Sequence, residues 1–209
     1  MFSLQTIFGK GDQFFGLLEQ SSQAGLESAR AISALLKQRG AEASLSEFTL
    51  ARQRERELFE RISRELVDTF VIALEREDIE ALSGALYKIP KINEKFAERY
   101  CLARKLLEDV DFLPRALLVE QAASVVVELV GLLRKGMKLE DAKNAIDRLK
   151  AIETEADRLI LENYRDVYTG RYQPLTAFAL KDLYELLEKG IDRCRDAGNV
   201  VYHIVLKNS

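Results

Sequence analysis

Two runs of acidic residues have the types and spacing for ion chemistry. Glu153 and Asp157, in the stretch IETEADRLI, are one helical turn apart; Glu185, Glu188, Asp192 and Asp196 follow nearer the C-terminus, with Asn199 and His203 continuing the row. At roughly 100° per residue, positions three and four apart share a helix face, and the later four acids fall within about 80° of arc. Carboxylates aligned this way repel one another. A multivalent cation that prefers hard oxygen ligands, such as iron, manganese or magnesium, turns the repulsion into binding. Glu153 and Asp157 on one helix and Glu188, Asp192 and Asp196 on the next, antiparallel one form the candidate metal ligands.

Other readings of the same acids stay open. By this count Glu153 and Asp157 fall inside an apolar stripe of Ile146, Leu149, Ile160, Tyr164, Val167 and Tyr168, with Arg148, Glu155, Glu162 and Asp166 opposite. A carboxylate taken out of water needs a cation, hydrogen-bond donors or a proton, and an Arg or Lys partner satisfies that need as well as a metal does. The later row lies roughly opposite Leu180, Leu183, Leu187, Ile191 and Cys194, so it also suits a solvated surface.

The elements that must position these acids are helices. Three prolines and eleven glycines interrupt 209 residues, and long stretches carry helical periodicity, which predicts an all-α chain with ample length for a core. A net charge of -3 argues against nucleic acid as a partner. The opening MFSLQTIFGKGDQFFGLL has no basic segment ahead of a long apolar one and does not read as a secretory signal. The most apolar stretch, ALLVEQAASVVVELVGLL, carries Glu120 and Glu128 and reads as a central bundle helix rather than a membrane crossing, so the expected location is the cytoplasm. Cys101 and Cys194 have no metal-ligand spacing and read as small packed residues.

Breakers and caps divide the chain into six helices. The expected spans are about Asp12 to Arg39, Ser44 to Val71, Glu75 to Glu108 with a kink at Pro90, Arg115 to Arg134, Leu139 to Tyr168, and Pro174 to Leu206. Ser44 and Glu47 have the spacing of a capping box. Short connections predict antiparallel neighbours. The six fall into two sets of three, residues 1–111 and 112–209. Aligning the second and fifth helices sets Arg52 and Arg56, on a stripe of Phe48, Phe59, Leu66 and Phe70, against Glu153 and Asp157. Aligning the third and sixth sets Lys88 against Asp192 and Gly84 against Glu188.

Marks of catalysis are lacking. His203 is the sole histidine, so no pair of Glu-x-x-His motifs exists, and no P-loop, G-x-S-x-G or H-E-x-x-H occurs. Metal-assisted hydrolysis of phosphoesters is the alternative reading of the carboxylates, without a nominated base. Arg52 and Arg56 suit an anion such as phosphate, though an internal salt bridge to Glu55 or to an acid of a neighbouring helix is the commoner fate of such residues. Ile32, Leu35 and Val125 to Val127 fit either a homo-oligomer interface or the bundle core.

Four stretches, FFGLLEQSSQAGLESARAISALL, TFVIALEREDIEALSGAL, IETEADRLI and KDLYELLEKGIDRCRDAGNVVYHIVLKNS, resemble the PhoU-like proteins, in the branch of accessory proteins of Pit-type inorganic phosphate transporters. They span nearly the whole chain in the family's order. The resemblance implies a PhoU-like bundle of six helices as two three-helix repeats in a single 1–209 domain. It also implies a non-enzymatic regulator of phosphate uptake that meets a Pit-type transporter at the inner face of the membrane. Multinuclear metal clusters on the long helices are implied too, which here leaves Glu153, Asp157, Glu188, Asp192 and Asp196 for one site holding iron, manganese, zinc or magnesium. In the first repeat Arg52, Arg56, Lys88 and Ile92 replace the ligands, so a second cluster is not expected there, because guanidinium groups stay charged and repel metal cations.

Overall fold

The computed structural model describes residues 4–38, 45–69 and 74–209, with side chains from Asp12 onward. The described residues form six α-helices and no strand: α1 (Leu4–Lys37), α2 (Ser46–Asp68), α3 (Arg76–Ala103), α4 (Leu113–Leu133), α5 (Leu139–Tyr168) and α6 (Pro174–Lys207). A single 3-10 turn, Arg104–Leu106, ends α3 earlier than the expected Glu108. The first helix starts before the expected Asp12, and the sixth runs one residue past Leu206. The third helix continues through Pro90, which is buried. Ser44 lies outside the described residues, and α2 starts at Ser46 without a side-chain cap, so the expected capping box is not part of the described fold.

Composition explains the layout. Helix α4 is long and apolar enough to cross a membrane by length and composition alone, yet half of its most apolar window is buried inside the protein. Its small and β-branched residues, including Ala116, Val119, Ala122, Ala123 and Val126, pack against α1 and α6. Its two acids reach neighbouring helices: Glu120 accepts from Ser33 at 3.1 Å and Arg30 at 3.4 Å on α1, and Glu128 is held by both Nη atoms of Arg148 on α5 at 2.8 and 3.0 Å. Ile32, Leu35, Val125 and Val126 are buried within the chain's own core, and Val127 is half-buried against it.

Within each repeat all three helices touch one another, and α1 on α4 and α3 on α6 join the repeats. The joining segment is anchored rather than loose: Phe112 is fully buried among Phe96, Tyr100 and Tyr184, with ring centroids 5.2 to 6.2 Å apart. Turns after α4 and α5 pass through Gly136 and Gly170 at φ of 72° and 75°, a backbone region that glycine enters without steric cost. The alternation of packed and solvated faces leaves α2 and α5 on the outside, each against the third helix of its repeat.

At Gly198, α6 packs directly against Leu149 and Ile146 of α5. A Cβ there would collide with Leu149 Cδ1 and stand 3.2 Å from Ile146 Cδ1, whereas Gly131 in α4 has nothing within 4 Å. Gly198→Val is therefore expected to lower unfolding free energy by about 1–3 kcal/mol through overpacking. Gly131→Ala is expected to raise it by up to about 1 kcal/mol through helix propensity. Urea unfolding of both variants measures the two shifts.

Candidate functional site

The two outer helix pairs carry the charged residues singled out by spacing, and each pair is bridged by an arginine and a glutamate. In the second repeat Arg195 of α6 donates from Nη1 to Glu153 Oε1 across the helix pair. The same guanidinium lies 3.3 Å from Asp192 Oδ1 and 3.7 Å from Asp196 Oδ1, and Arg193 donates to Asp196 Oδ2 at 2.9 Å. In the first repeat the polarity is reversed. Arg52 of α2 approaches Glu94 Oε2 of α3 at 3.3 Å, donates to the Tyr87 hydroxyl at 3.2 Å and sits 4.7 Å over the Tyr87 ring. The sign flip visible at Arg52 and Glu153 is thus compensated on the facing helix of each repeat.

The five expected ligands do not share one environment. Glu153 is half-buried, with 23% of its side chain accessible, and Asp157 is exposed. The buried residues of α5 are Ala142, Ala145, Leu149, Ala156 and Asn163, so the true stripe is narrower and rotated from the one drawn through Ile146 and Tyr164. By helical angle Glu153 falls at its edge and Asp157 about 100° from its centre. Alanines fill this stripe because α5 and α6 approach closely, and large side chains would not fit there. Glu188, Asp192 and Asp196 are half-exposed on α6, while Leu180, Leu183, Leu187, Ile191 and Cys194 are buried on its other side.

Electrostatics follow from this placement. Burial pushes the Glu188 carboxyl up, and the like charges of Asp192 and Asp157 add to the rise. Arg195 is held up in spite of burial, because Asp192, Glu153 and Asp196 favour its charge. Glu185 is held down by the hydrogen bond from Lys181 at 2.6 Å. Among the described residues no group of three His, Cys, Asp or Glu side chains is arranged to hold a metal ion. The Arg195 guanidinium lies among Glu153, Asp192 and Asp196, so in this arrangement those three carboxylates are met by a cation of their own chain. Arg52 is engaged by Tyr87 and Glu94, and Arg56 pairs with Glu60 at 3.1 Å on the solvent side; neither pairs with Glu55.

Glu55 is the residue that pattern reading missed. The buried positions of α2 are Phe48, Ala51, Glu55, Leu58 and Ile62, an unbroken alternation of three- and four-residue steps, whereas Phe59 and Leu66 are half-buried and Phe70 lies outside the described residues. Although the polar run ARQRERELFER surrounds it, the three- and four-residue spacing puts Glu55 in the core. Its Oε1 accepts from Ser21 Oγ of α1 at 2.6 Å, and Oε2 has no hydrogen-bond partner among the described residues. Desolvation pushes the carboxyl up to about 8, against the lowering effects of the Ser21 hydrogen bond and of Arg52 and Arg54. Asp78, also buried, is met by Lys207 Nζ at 2.7 Å. Cys194 is buried and its thiol is pushed up to about 12 by desolvation; Cys101 is half-buried, and both are free thiols.

Comparison with known proteins was made over the whole chain, and no family model matches it. The UPF0111 protein YkaA of Bacillus subtilis (strain 168) is 23% identical over 146 residues, covering 70% of this chain and 71% of that protein. A protein of Rhizobium meliloti (strain 1021), provisionally named pit accessory protein, is 24% identical over 204 residues, 94% of each chain. Two crystal structures from Shewanella oneidensis MR-1 share the fold. One is a PhoU-like protein, with a TM-score of 0.79 at 16% identity over 93% of this chain and 99% of that one. The other, provisionally described as a PhoU-like phosphate regulatory protein, has a TM-score of 0.79 at 15% identity over the same shares. The chain therefore has the PhoU-like fold of six helices.

Two outcomes are expected from this site. Glu55 is protonated in both states below its unfolded value near 4.5; between there and about 8 only the unfolded chain releases the proton, so stability falls as pH rises. Relative to Glu55→Gln, the wild type is expected to lose about 2–4 kcal/mol between about pH 5 and about pH 8, read from urea unfolding of both proteins across that range. Parallel pH profiles would show that Glu55 is not the titrating group. The second outcome concerns Arg195→Gln, which leaves Glu153, Asp192 and Asp196 without their shared guanidinium. Elemental analysis of identically purified proteins is expected to find more manganese or iron in the variant than in the wild type; equal content would show that Arg195 does not compete with metal.

Proposed function

We propose that this PhoU-like bundle is an accessory protein of inorganic phosphate uptake that docks on the cytoplasmic side of a Pit-type transporter and works by binding rather than by catalysis. The observation that carries this reading is the end-to-end likeness to the Rhizobium meliloti protein provisionally named pit accessory protein, which covers 94% of both chains. The shared fold with a structure provisionally described as a phosphate regulatory protein supports the same process.

The chemistry of the charged seams agrees with a binding role. Arg52, Glu94, Glu153 and Arg195 are spent on cross-helix pairs that brace α2 on α3 and α5 on α6. A phosphoester hydrolase built on the same carboxylates would need a positioned base near a bound metal, and Arg195 holds three of those carboxylates in ion pairs.

Affinity capture of the intact protein from native membranes, grown with high and with low phosphate, tests the reading. Recovery of an inorganic phosphate transporter in at least one condition is expected. Its absence from both would overturn docking.

A further inference from the structure

Four large apolar side chains stand exposed around the turn between α5 and α6: Leu161 at 59%, Tyr168 at 81%, Leu175 at 63% and Phe178 at 71%. A single exposed leucine needs no explanation, but several at one hairpin end mark a contact surface. Leu161 and Tyr168 are two turns apart on one face of α5, and Leu175 and Phe178 are one turn apart on α6. Tyr164 and Tyr168 have ring centroids 6.4 Å apart, and the Tyr164 hydroxyl donates to Glu185 Oε1 at 3.2 Å. Lys181, one turn beyond Phe178, donates to the same Glu185 oxygen at 2.6 Å. The apolar tip is thus continuous with the charged seam of α5 and α6.

That seam says what chemistry would cover the tip. Its carboxylates are Glu153, Asp157, Glu185, Glu188, Asp192 and Asp196, and its cations are Lys181, Lys189, Arg193 and Arg195, with exposed Lys150 and Arg165 on the same side of α5. Glu185 is matched by Lys181 and Lys189, and Glu153, Asp192 and Asp196 by Arg193 and Arg195. Asp157 and Glu188 are in no ion pair among the described residues. Arg165 is exposed between Leu161 and Tyr168 on α5, within about 60° of both, and Arg158 is taken by Glu155 and Glu162. Glu188 is already crowded by Asp192 and Asp157, a repulsion that an incoming cation relieves.

The geometry points to the α5–α6 face as a docking surface for a Lys/Arg-bearing amphipathic segment, whose apolar anchors cover Leu161, Tyr168, Leu175 and Phe178 while its cations meet Asp157 and Glu188. Cytoplasmic loops of membrane proteins carry an excess of Lys and Arg, so a transporter loop has this chemistry. Only the identity of the occupant, a cytoplasmic loop of the transporter, rests on the accessory-protein reading.

The test uses the full-length protein and a labelled synthetic helix of Lys and Leu, beside the same peptide with Glu for Lys. Two double variants, Leu161→Ser/Phe178→Ser and Asp157→Lys/Glu188→Lys, alter exposed or half-exposed positions, and thermal unfolding checks that they remain folded. The wild type is expected to bind the Lys peptide at least about tenfold more tightly than the Glu peptide, and each double variant to lose at least about tenfold. In the charge variant the salt dependence of binding is also expected to flatten. Wild-type affinity in either folded double variant would overturn the docking surface. Self-association of the wild type, abolished in both variants, would overturn it in favour of a second copy of this chain. Capture from membranes separates the two readings: equal transporter recovery with wild type and variants sinks the surface and leaves the accessory role standing, whereas variant-sensitive peptide binding without any transporter recovery supports the surface and removes the transporter as its occupant.

Discussion

The seam where α4 lies between α1 and α6 is the contact on which the rest of the bundle depends. A helix dominated by alanine, valine and leucine can leave water only by packing on other apolar faces, and α4 supplies Ala116, Val119, Ala122, Ala123 and Val126 to that end. Small residues let helices approach closely, and the glutamates that interrupt the run are turned outward to Ser33, Arg30 and Arg148. One helix is thereby both the apolar centre and the source of two cross-helix polar links. With α1, α3, α4 and α6 committed to the centre, α2 and α5 are left with one face on the bundle and one in water.

That division governs where charge can be placed. Inside the outer pairs a charged group needs a partner on the facing helix, and the repeats meet the need with opposite polarity: Arg52 on α2 with Glu94 on α3, and Glu153 on α5 with Arg195 on α6. A half-buried ion pair gains little net stability once desolvation is counted, but loss of either member leaves an uncompensated charge. The arrangement therefore constrains the register of each outer helix against its neighbour. Glu55 stands apart, because its partner is a neutral hydroxyl and one carboxylate oxygen has none; in that setting the neutral acid is the favoured form.

The outer surface of α5 and α6 is where the fold leaves chemistry unspent. The central helices consume most large apolar side chains, yet Leu161, Tyr168, Leu175 and Phe178 remain in water beside carboxylates that their own chain does not fully neutralise. Apolar anchors next to Asp157 and Glu188, which form no ion pair among the described residues, suit a partner that is amphipathic and carries cations. Binding through such a face suits a protein whose cross-helix pairs are already engaged in holding its own helices.

Six helices, the break near Asp111, the apolar face of α6 and the two-repeat layout were legible in the sequence, because periodicity, glycine and proline act locally and every residue of a helix shares one geometry. So was the reversal of charge between Arg52 and Glu153. The partners were not legible: that Arg195 reaches Glu153, Asp192 and Asp196, that Asp157 turns to solvent, and that Glu94 answers Arg52 depend on the rotation of one helix against another. A shift of one or two residues in the centre of a stripe moves a side chain from core to water, and alanines obscure that centre because they mark close approach without a strong apolar signal. Sequence by itself determined which faces exist; only tertiary packing decided which charge meets which, since a carboxylate's state is set by the groups brought to it across space.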